Sequence, residues 1–524
     1  MKLHAVAGWV VGLAALFAFS TEPAVAAPKP VRVDSGWLEG VGEGGLTVYK
    51  GVPFAAAPTG DLRWREPQPL AAWSGKRTAD SYAPACMQSG VSMPGETPSA
   101  ISEDCLYLNL WVPKHRNARL PVLVWIHGGG YSNGSASMPL YHGDRLARRG
   151  VIVATVAYRL GVLGFLAHPE LTRESEHATS GNYGLLDQVA ALRWIQRNIA
   201  AFGGDPARVT IAGQSAGAMS VSVLMASPQT LGLFQGAIAQ SGGVFEPLQM
   251  APSYLLANAE HDGEKYAASI GAKSLSALRA LPASKLLEGG AGAIGHPVVD
   301  PYLLPRAPYD VFASGQQAKV PVLLGSNADE ARALTDVSRV KAATFAADLE
   351  RSFGPLPAAI VAAYPHGTDA QARRARLDLE RDLRFGWDMW AWARLSAKSS
   401  RASVFFYNFA QRPPFPPGSP YEDWGASHYA ELWYVFDHLE QMPWTWTPGD
   451  RRLADTMASY WTNFVKSGNP NGRGLPTWPA YHGSDVGVMF LRDPPGIGGV
   501  PGLDRLRVFD TVYEAVRGVG PGAH

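Results

Sequence analysis

The chain has 524 residues, 46% of them hydrophobic and 17% charged, with a formal net charge of +1. This balance allows a sizeable core and excludes a disordered chain. It also argues against electrostatic capture of nucleic acid or of an anionic membrane. With 56 Gly and 41 Pro, turns and loops take a large share of the chain, which excludes a helical bundle.

The N-terminus reads MKLHAVAGWVVGLAALFAFSTEPAVAAPKP. Lys2 opens a short positive region, and Ala5 to Phe19 is apolar but short for a membrane span. Small residues at Ala24, Val25 and Ala26 suit a signal-peptide cleavage site after Ala26 or Ala27. Residues 1–26 are therefore expected to be a signal peptide, and 27–524 a single exported, soluble domain without a stable membrane anchor. No Cys at the cleavage point offers a lipid attachment site. The only cysteines are Cys86 and Cys105. In an exported chain two Cys can close one disulfide, contributing about 3 kcal/mol in the chain-entropy account. A two-Cys metal site would need His partners that are not nearby.

Strand-like runs follow at Val31–Val33, Leu46–Tyr49, Leu120–Ile126, Val151–Ala157, Val209–Ala212, Ala237–Gln240, Val320–Leu324 and Val404–Phe409. Several are continuously apolar, as strands buried on both faces are. Tyr183 to Phe202 has helical spacing. Alternation of strand and helix predicts an α/β fold, a mostly parallel sheet covered on both faces, with an antiparallel leading edge. Residues 245–315 and 335–400 read as helical insertions above the C-terminal strand ends, where they can shape a pocket. The Pro-rich stretch Arg412 to Pro420 reads as a rigid loop.

The chemistry concentrates where Arg208-Val209-Thr210-Ile211-Ala212 meets Gly213-Gln214-Ser215-Ala216-Gly217, followed at once by a helical run. Glycine flanks permit a very sharp turn, and the Ser at its apex is pushed into the open. Gly-x-Ser-x-Gly between strand and helix is the nucleophile-elbow pattern. A Ser hydroxyl needs a base, an orienting acid and donors for the developing oxyanion. Leu120–Ile126 runs into His127-Gly128-Gly129-Gly130, whose amides can serve as donors with that of Ala216. A phosphate loop would end in Lys-Ser/Thr, which is absent. Val320 to Gly325 leads to the adjacent carboxylates Asp329 and Glu330, and spacing alone does not choose between them. His428 lies in a loop before an expected amphipathic helix, whereas His438 reads as a solvated helix end. The order Ser215, acid, His428 is that of the α/β-hydrolases.

These stretches resemble the type-B carboxylesterase family, which includes cholinesterases and bacterial para-nitrobenzyl esterases. The likeness is carried by Phe202-Gly203-Gly204-Asp205-Pro206 through Gly217, and by Glu103-Asp104-Cys105-Leu106-Tyr107-Leu108-Asn109-Leu110-Trp111. Gly51–Ala55, Leu62–Trp64, Tyr158–Phe165 and Asn182–Gln188 support it, over about residues 30 to 490. The resemblance implies Glu330 as the acid, with Ala331 where Gly is common, and His428 as the base. It implies oxyanion amides on Gly129, Gly130 and Ala216, a Cys86–Cys105 bridge, and a supporting role for Ser241 near the acid. It implies ester hydrolysis through an acyl-enzyme on Ser215, with a small carboxylic ester as substrate and no metal or organic cofactor. Cholinesterases hold a quaternary ammonium partly on a Trp of the Cys–Cys loop. Here Met87 to Asp104 has no aromatic residue, so no choline-ester preference is expected. The Trp-rich stretch Phe385 to Trp392 is expected to be core more than pocket. A lipase or other acyl-transfer hydrolase on the same triad, or a binding member of the superfamily, are the competing expectations.

Overall fold

Leu120–Ile126 forms a strand over its whole length and is buried at every position. Val122, Val124 and Ile126 pack into the core on one face of a sheet, and Leu123 and Trp125 into the core on the other. Burial of each such side chain contributes about 1.5–3 kcal/mol, so the strand is held from both sides. The structure is a computed structural model that describes residues 28–89, 98, 100–114, 119–288 and 294–518. The expected signal peptide lies outside the described residues.

Among the described residues, eleven strands form the main sheet. They are β1 (Val41–Glu43), β2 (Leu46–Pro53), β3 (Tyr107–Pro113), β4 (Leu120–Ile126), β5 (Ile152–Val156), β6 (Gly204–Gln214), β7 (Gly236–Gln240), β8 (Val322–Asn327), β9 (Val404–Phe409), β10 (Val486–Leu491) and β11 (Gly496–Gly499). Across the sheet the order is β11-β10-β9-β8-β7-β6-β4-β5-β3-β2-β1. Pairs from β5 to β10 are parallel. The leading strands β1, β2 and β3 pair antiparallel, as does β3 with β5. The expected α/β architecture and its antiparallel edge are both present. Strand β4 lies between β5 and β6, with Val124 opposite both Ala154 and Ile211. The direction of chain progression reverses here, and in open α/β sheets the crevice at such a point takes the ligand.

Helices α1 (Tyr183–Asn198), α2 (Ala216–Ala226) and α3 (Trp387–Ser399) cover one face. Helix α4 (Pro448–Ser467) and the turn Leu432–Val435 cover the other. Helix α2 is small and apolar all round, as a helix enclosed by core must be. The two insertions are helical, with Leu256–Ser269 in the first, and Phe345–Phe353 and Asp369–Arg381 in the second. Cys86 and Cys105 form a disulfide. Among the described residues no helix is long and apolar enough to cross a membrane.

Two local expectations fail. The helix after His428 is a single turn, Leu432–Val435, buried on every side rather than amphipathic. His438 is not a solvated helix end but 3% exposed, with Nε2 3.1 Å from Asp144 Oδ1 and Nδ1 3.3 Å from Pro139 O. The chain after the short helix turns inward against the segment between β4 and β5, and the imidazole finds polar partners there.

Candidate active site

Strand β6 ends at Gln214 and helix α2 begins at Ala216, so Ser215 alone makes the turn. Its backbone sits at φ 56°, ψ −126°, a conformation that costs a non-glycine residue energy and persists where the surroundings enforce it. The enforcement is visible at Gly217, where any Cβ would fall 2.1 Å from Ile126 O. The Ser215 N–H donates to Gln240 O of the neighbouring strand end at 2.8 Å. Ala216 N–H belongs to the first turn of α2, where amides have no intrahelical acceptor.

The glycine loop leaves the adjacent strand β4. A Cβ at Gly128 would lie 3.1 Å from Ser215 Cβ, so loop and serine are in contact. Gly129 has φ +105°, and a Cβ there would fall 2.2 Å from Asn133 O. Its carbonyl accepts from Ser132 N and Asn133 N at 3.0 and 3.1 Å, closing the loop. The N–H groups of Gly129 and Gly130 have no partner among the described residues. His127 anchors the loop. It stacks on Tyr158 with centroids 4.4 Å apart, and Tyr158 Oη donates to its carbonyl at 2.7 Å. Burial pushes the His127 imidazole down to about 4, so the ring is neutral at pH 7, with Nδ1 2.8 Å from Gly128 O.

Beyond β8, Glu330 is fully buried and Asp329 turns outward. Glu330 Oε2 lies 2.6 Å from His428 Nδ1, and Oε1 accepts from Asn327 N at 2.7 Å. Asp329 instead accepts from Ala426 N at 3.0 Å, pairs with Arg332 at 3.1 Å, and borders an open cavity of about 590 Å³ with Arg412. Of the two adjacent carboxylates, Glu330 is the one that meets the imidazole. His428 is itself buried, and Phe385 stacks on its ring at 4.7 Å. Phe385 lies in a single π-helical turn, Asp382–Gly386, just before α3, a distortion often found at functional sites. Trp387, Trp390 and Trp392 behind it are core, as expected. Ser241 is fully buried at φ 56°. Its N–H donates to Gly325 O at 2.8 Å, and its hydroxyl has no partner among the described residues.

Three further residues belong to the site but were not legible in its motifs. Gln214 places its side-chain nitrogen 3.2 Å from His428 Nε2. Glu431 is fully buried and accepts from Gln240 Nε2 at 3.0 Å and Asn327 Nδ2 at 2.6 Å. Burial first, and the charge of Glu330 second, push the Glu431 carboxyl up to about 7. Asn327 joins the two acids, with its backbone on Glu330 and its side chain on Glu431. One signal was available. Glu431 opens the apolar run Leu432-Trp433-Tyr434-Val435-Phe436, which Asp437 closes, and an acid so placed must be either exposed by helical phase or buried with partners.

A parallel sheet, a serine turned out at its switch point and a glycine loop from the neighbouring strand define an α/β-hydrolase. Within that class the chain belongs to the carboxylesterase family, whose model matches residues 27–498, and it is a carboxylic ester hydrolase. It is 39% identical over 476 residues to a fumonisin B1 esterase of Sphingopyxis macrogoltabida, covering 87% of this chain and 85% of that protein. It is 36% identical over 483 residues to a para-nitrobenzyl esterase of Bacillus subtilis, covering 88% and 94%. A solved PNB esterase structure superposes with a TM-score of 0.80 at 33% identity, over 92% of this chain and 99% of that one.

Proposed function

We propose that the chain is an exported serine carboxylesterase, a single domain from residue 27 onward, that hydrolyses small carboxylic esters through an acyl-enzyme on Ser215. His428 Nε2 takes the Ser215 Oγ proton as the hydroxyl attacks the ester carbonyl. The same proton then passes to the leaving alcohol. Water, activated by His428, releases the acid and restores Ser215. Glu330 holds the Nδ1 proton and stabilises the imidazolium. The N–H groups of Gly129, Gly130 and Ala216 receive the negative charge on the carbonyl oxygen. Ser241, next to the Gly242 that faces the Ser215 carbonyl, has a supporting role near the acid.

The observation that carries this reading is the buried 2.6 Å contact between Glu330 Oε2 and His428 Nδ1. It fixes the ring with Nδ1 as donor and leaves Nε2 as the nitrogen able to accept a proton. The apolar N-terminal stretch and the Cys86–Cys105 bridge support export, since disulfides persist in oxidising compartments.

The test is hydrolysis of para-nitrophenyl esters from acetate to palmitate by the mature protein and by Ser215→Ala. Wild type is expected to be active and to be labelled at Ser215 by a fluorophosphonate. The variant should lose activity by a factor on the order of 10⁶. A folded Ser215→Ala enzyme that keeps its activity would sink the proposal. The length profile separates a short-chain esterase from a lipase. For export, the first residue of the secreted protein is expected to be Ala27 or Pro28, and recovery of intact Met1 would count against it.

A further inference from the structure

His428 Nε2, on which the proposed proton transfer depends, lies beside a side-chain amide. Gln214, the last residue of β6, is 1% exposed, and its side-chain nitrogen lies 3.2 Å from Nε2. The opposite side of the ring is committed to Glu330 Oε2 at 2.6 Å, and its face to Phe385. A primary amide carries a donor end and an acceptor end of nearly equal shape. While the ring is neutral, with its proton on Nδ1, the single Nε2 lone pair can accept a Gln214 N–H until the Ser215 hydroxyl takes that place. When the Ser215 proton arrives, Nε2 becomes a donor, and the same amide can meet it by turning its oxygen inward. A carboxylate at this position could only accept, and would favour the charged ring. A thioether cannot donate and accepts only weakly.

We infer that Gln214 is a positioning residue, which holds His428 at Nε2 in both of its protonation states by turning its amide as the proton arrives from Ser215 Oγ and leaves to the alcohol oxygen. The inference rests on the reading of Ser215 as nucleophile and His428 as base. Gln214 brings no charge to the ring. The other groups there are Glu330 and Asp329 on the acid loop, the latter paired with Arg332 and Arg412, Glu431 on the segment that bears His428, and Tyr407 on β9. Burial, with the charges of Glu431 and Glu330, holds the Tyr407 phenol far above its ordinary value, so it stays neutral.

The experiment measures kcat and KM against pH for wild type, Gln214→Glu and Gln214→Met on para-nitrophenyl acetate, with Ser215→Ala as control. Gln214→Glu is expected to move the acid limb of the kcat profile up by about one pH unit or more, because an added carboxylate beside the ring favours its protonated form. Gln214→Met matches the side chain in length but cannot donate to the ring and accepts only weakly. It should lower kcat about tenfold, with KM and the acid limb unchanged. A Met variant within twofold of wild type in kcat overturns the inference, whether or not the Glu variant folds. An acid limb that stays in place in a folded Glu variant overturns it as well. An active Ser215→Ala control would instead remove the reading beneath it.

Discussion

In the proposed mechanism the groups that work around Ser215 are main chain: the N–H groups of Gly129, Gly130 and Ala216, and a turn whose shape depends on a Cβ-free Gly217. Around His428 they are mostly side chains: Glu330, Asn327, Gln240 and Glu431, joined by buried hydrogen bonds of 2.6–3.0 Å, one of them from the Asn327 main-chain N–H. The first half is fixed by where two paired strands end. The second is fixed by polar satisfaction inside the core, where each removed partner leaves another without one. The nucleophile half should therefore fail through shape, and the base half through charge.

The sharpest way to break this contrast is Glu330→Ala. It frees Nδ1 and leaves the imidazolium without its counter-charge, so kcat/KM should fall on the order of 10³–10⁴-fold, with fluorophosphonate labelling of Ser215 slowed in parallel. Labelling at the wild-type rate would show that the acid does not act through the base. Gly129→Ala should cost less, on the order of 10²–10³-fold in kcat. The added methyl meets Asn133 O at 2.2 Å and shifts the amide off the oxyanion. A loss confined to KM would mean that the loop only binds substrate.

The mildest change, Glu431→Gln, separates charge from shape and is read in stability. The folded carboxyl sits at about 7 against an ordinary 4.5, so the folded state holds its proton longer than the unfolded one. Stability from this group is fully present below 4.5 and is lost as pH rises through 7. At about 1.4 kcal/mol per tenfold, the loss is roughly 3 kcal/mol. The variant does not titrate and keeps a constant offset, because one of the two amide donors loses its acceptor. Its unfolding free energy should therefore gain roughly 3 kcal/mol relative to wild type between pH 4 and pH 8. A pH-independent difference in urea unfolding would remove Glu431 as the titrating group.

The same contrast governed what could be read in advance. Leu120–Ile126 and Val404–Phe409 were legible to the residue because continuous apolar runs are what sheet interiors demand. The elbow and the glycine loop were legible because backbone strain is written in glycines. Strand β3 was not, since Asn109 interrupts its run. That Asn is buried and donates to Thr155 Oγ1 at 3.0 Å and Ala136 O at 3.2 Å, a tertiary arrangement that no local pattern announces. Strand β10 was missed because Gly487 breaks its alternation. On the base side, the resemblance selected Glu330, but Gln214, Glu431 and Phe385 emerged only from packing. Gln214 fills the variable position of Gly-x-Ser-x-Gly, and Phe385 comes from a helix far along the chain.

One consequence of the neighbouring exits of β4 and β6 concerns redesign. The proposed donors and nucleophile inherit their alignment from Ile126 facing Gly213 in the sheet, so it travels with the strands and not with the insertions. Residues 245–315 bear none of Ser215, Gly129, Gly130, Glu330 or His428, but Phe245, Leu303 and Phe312 are buried in the main core, so recutting is confined to the segment's exposed positions. The second insertion offers less freedom, because it carries the aromatic ring that lies against the base.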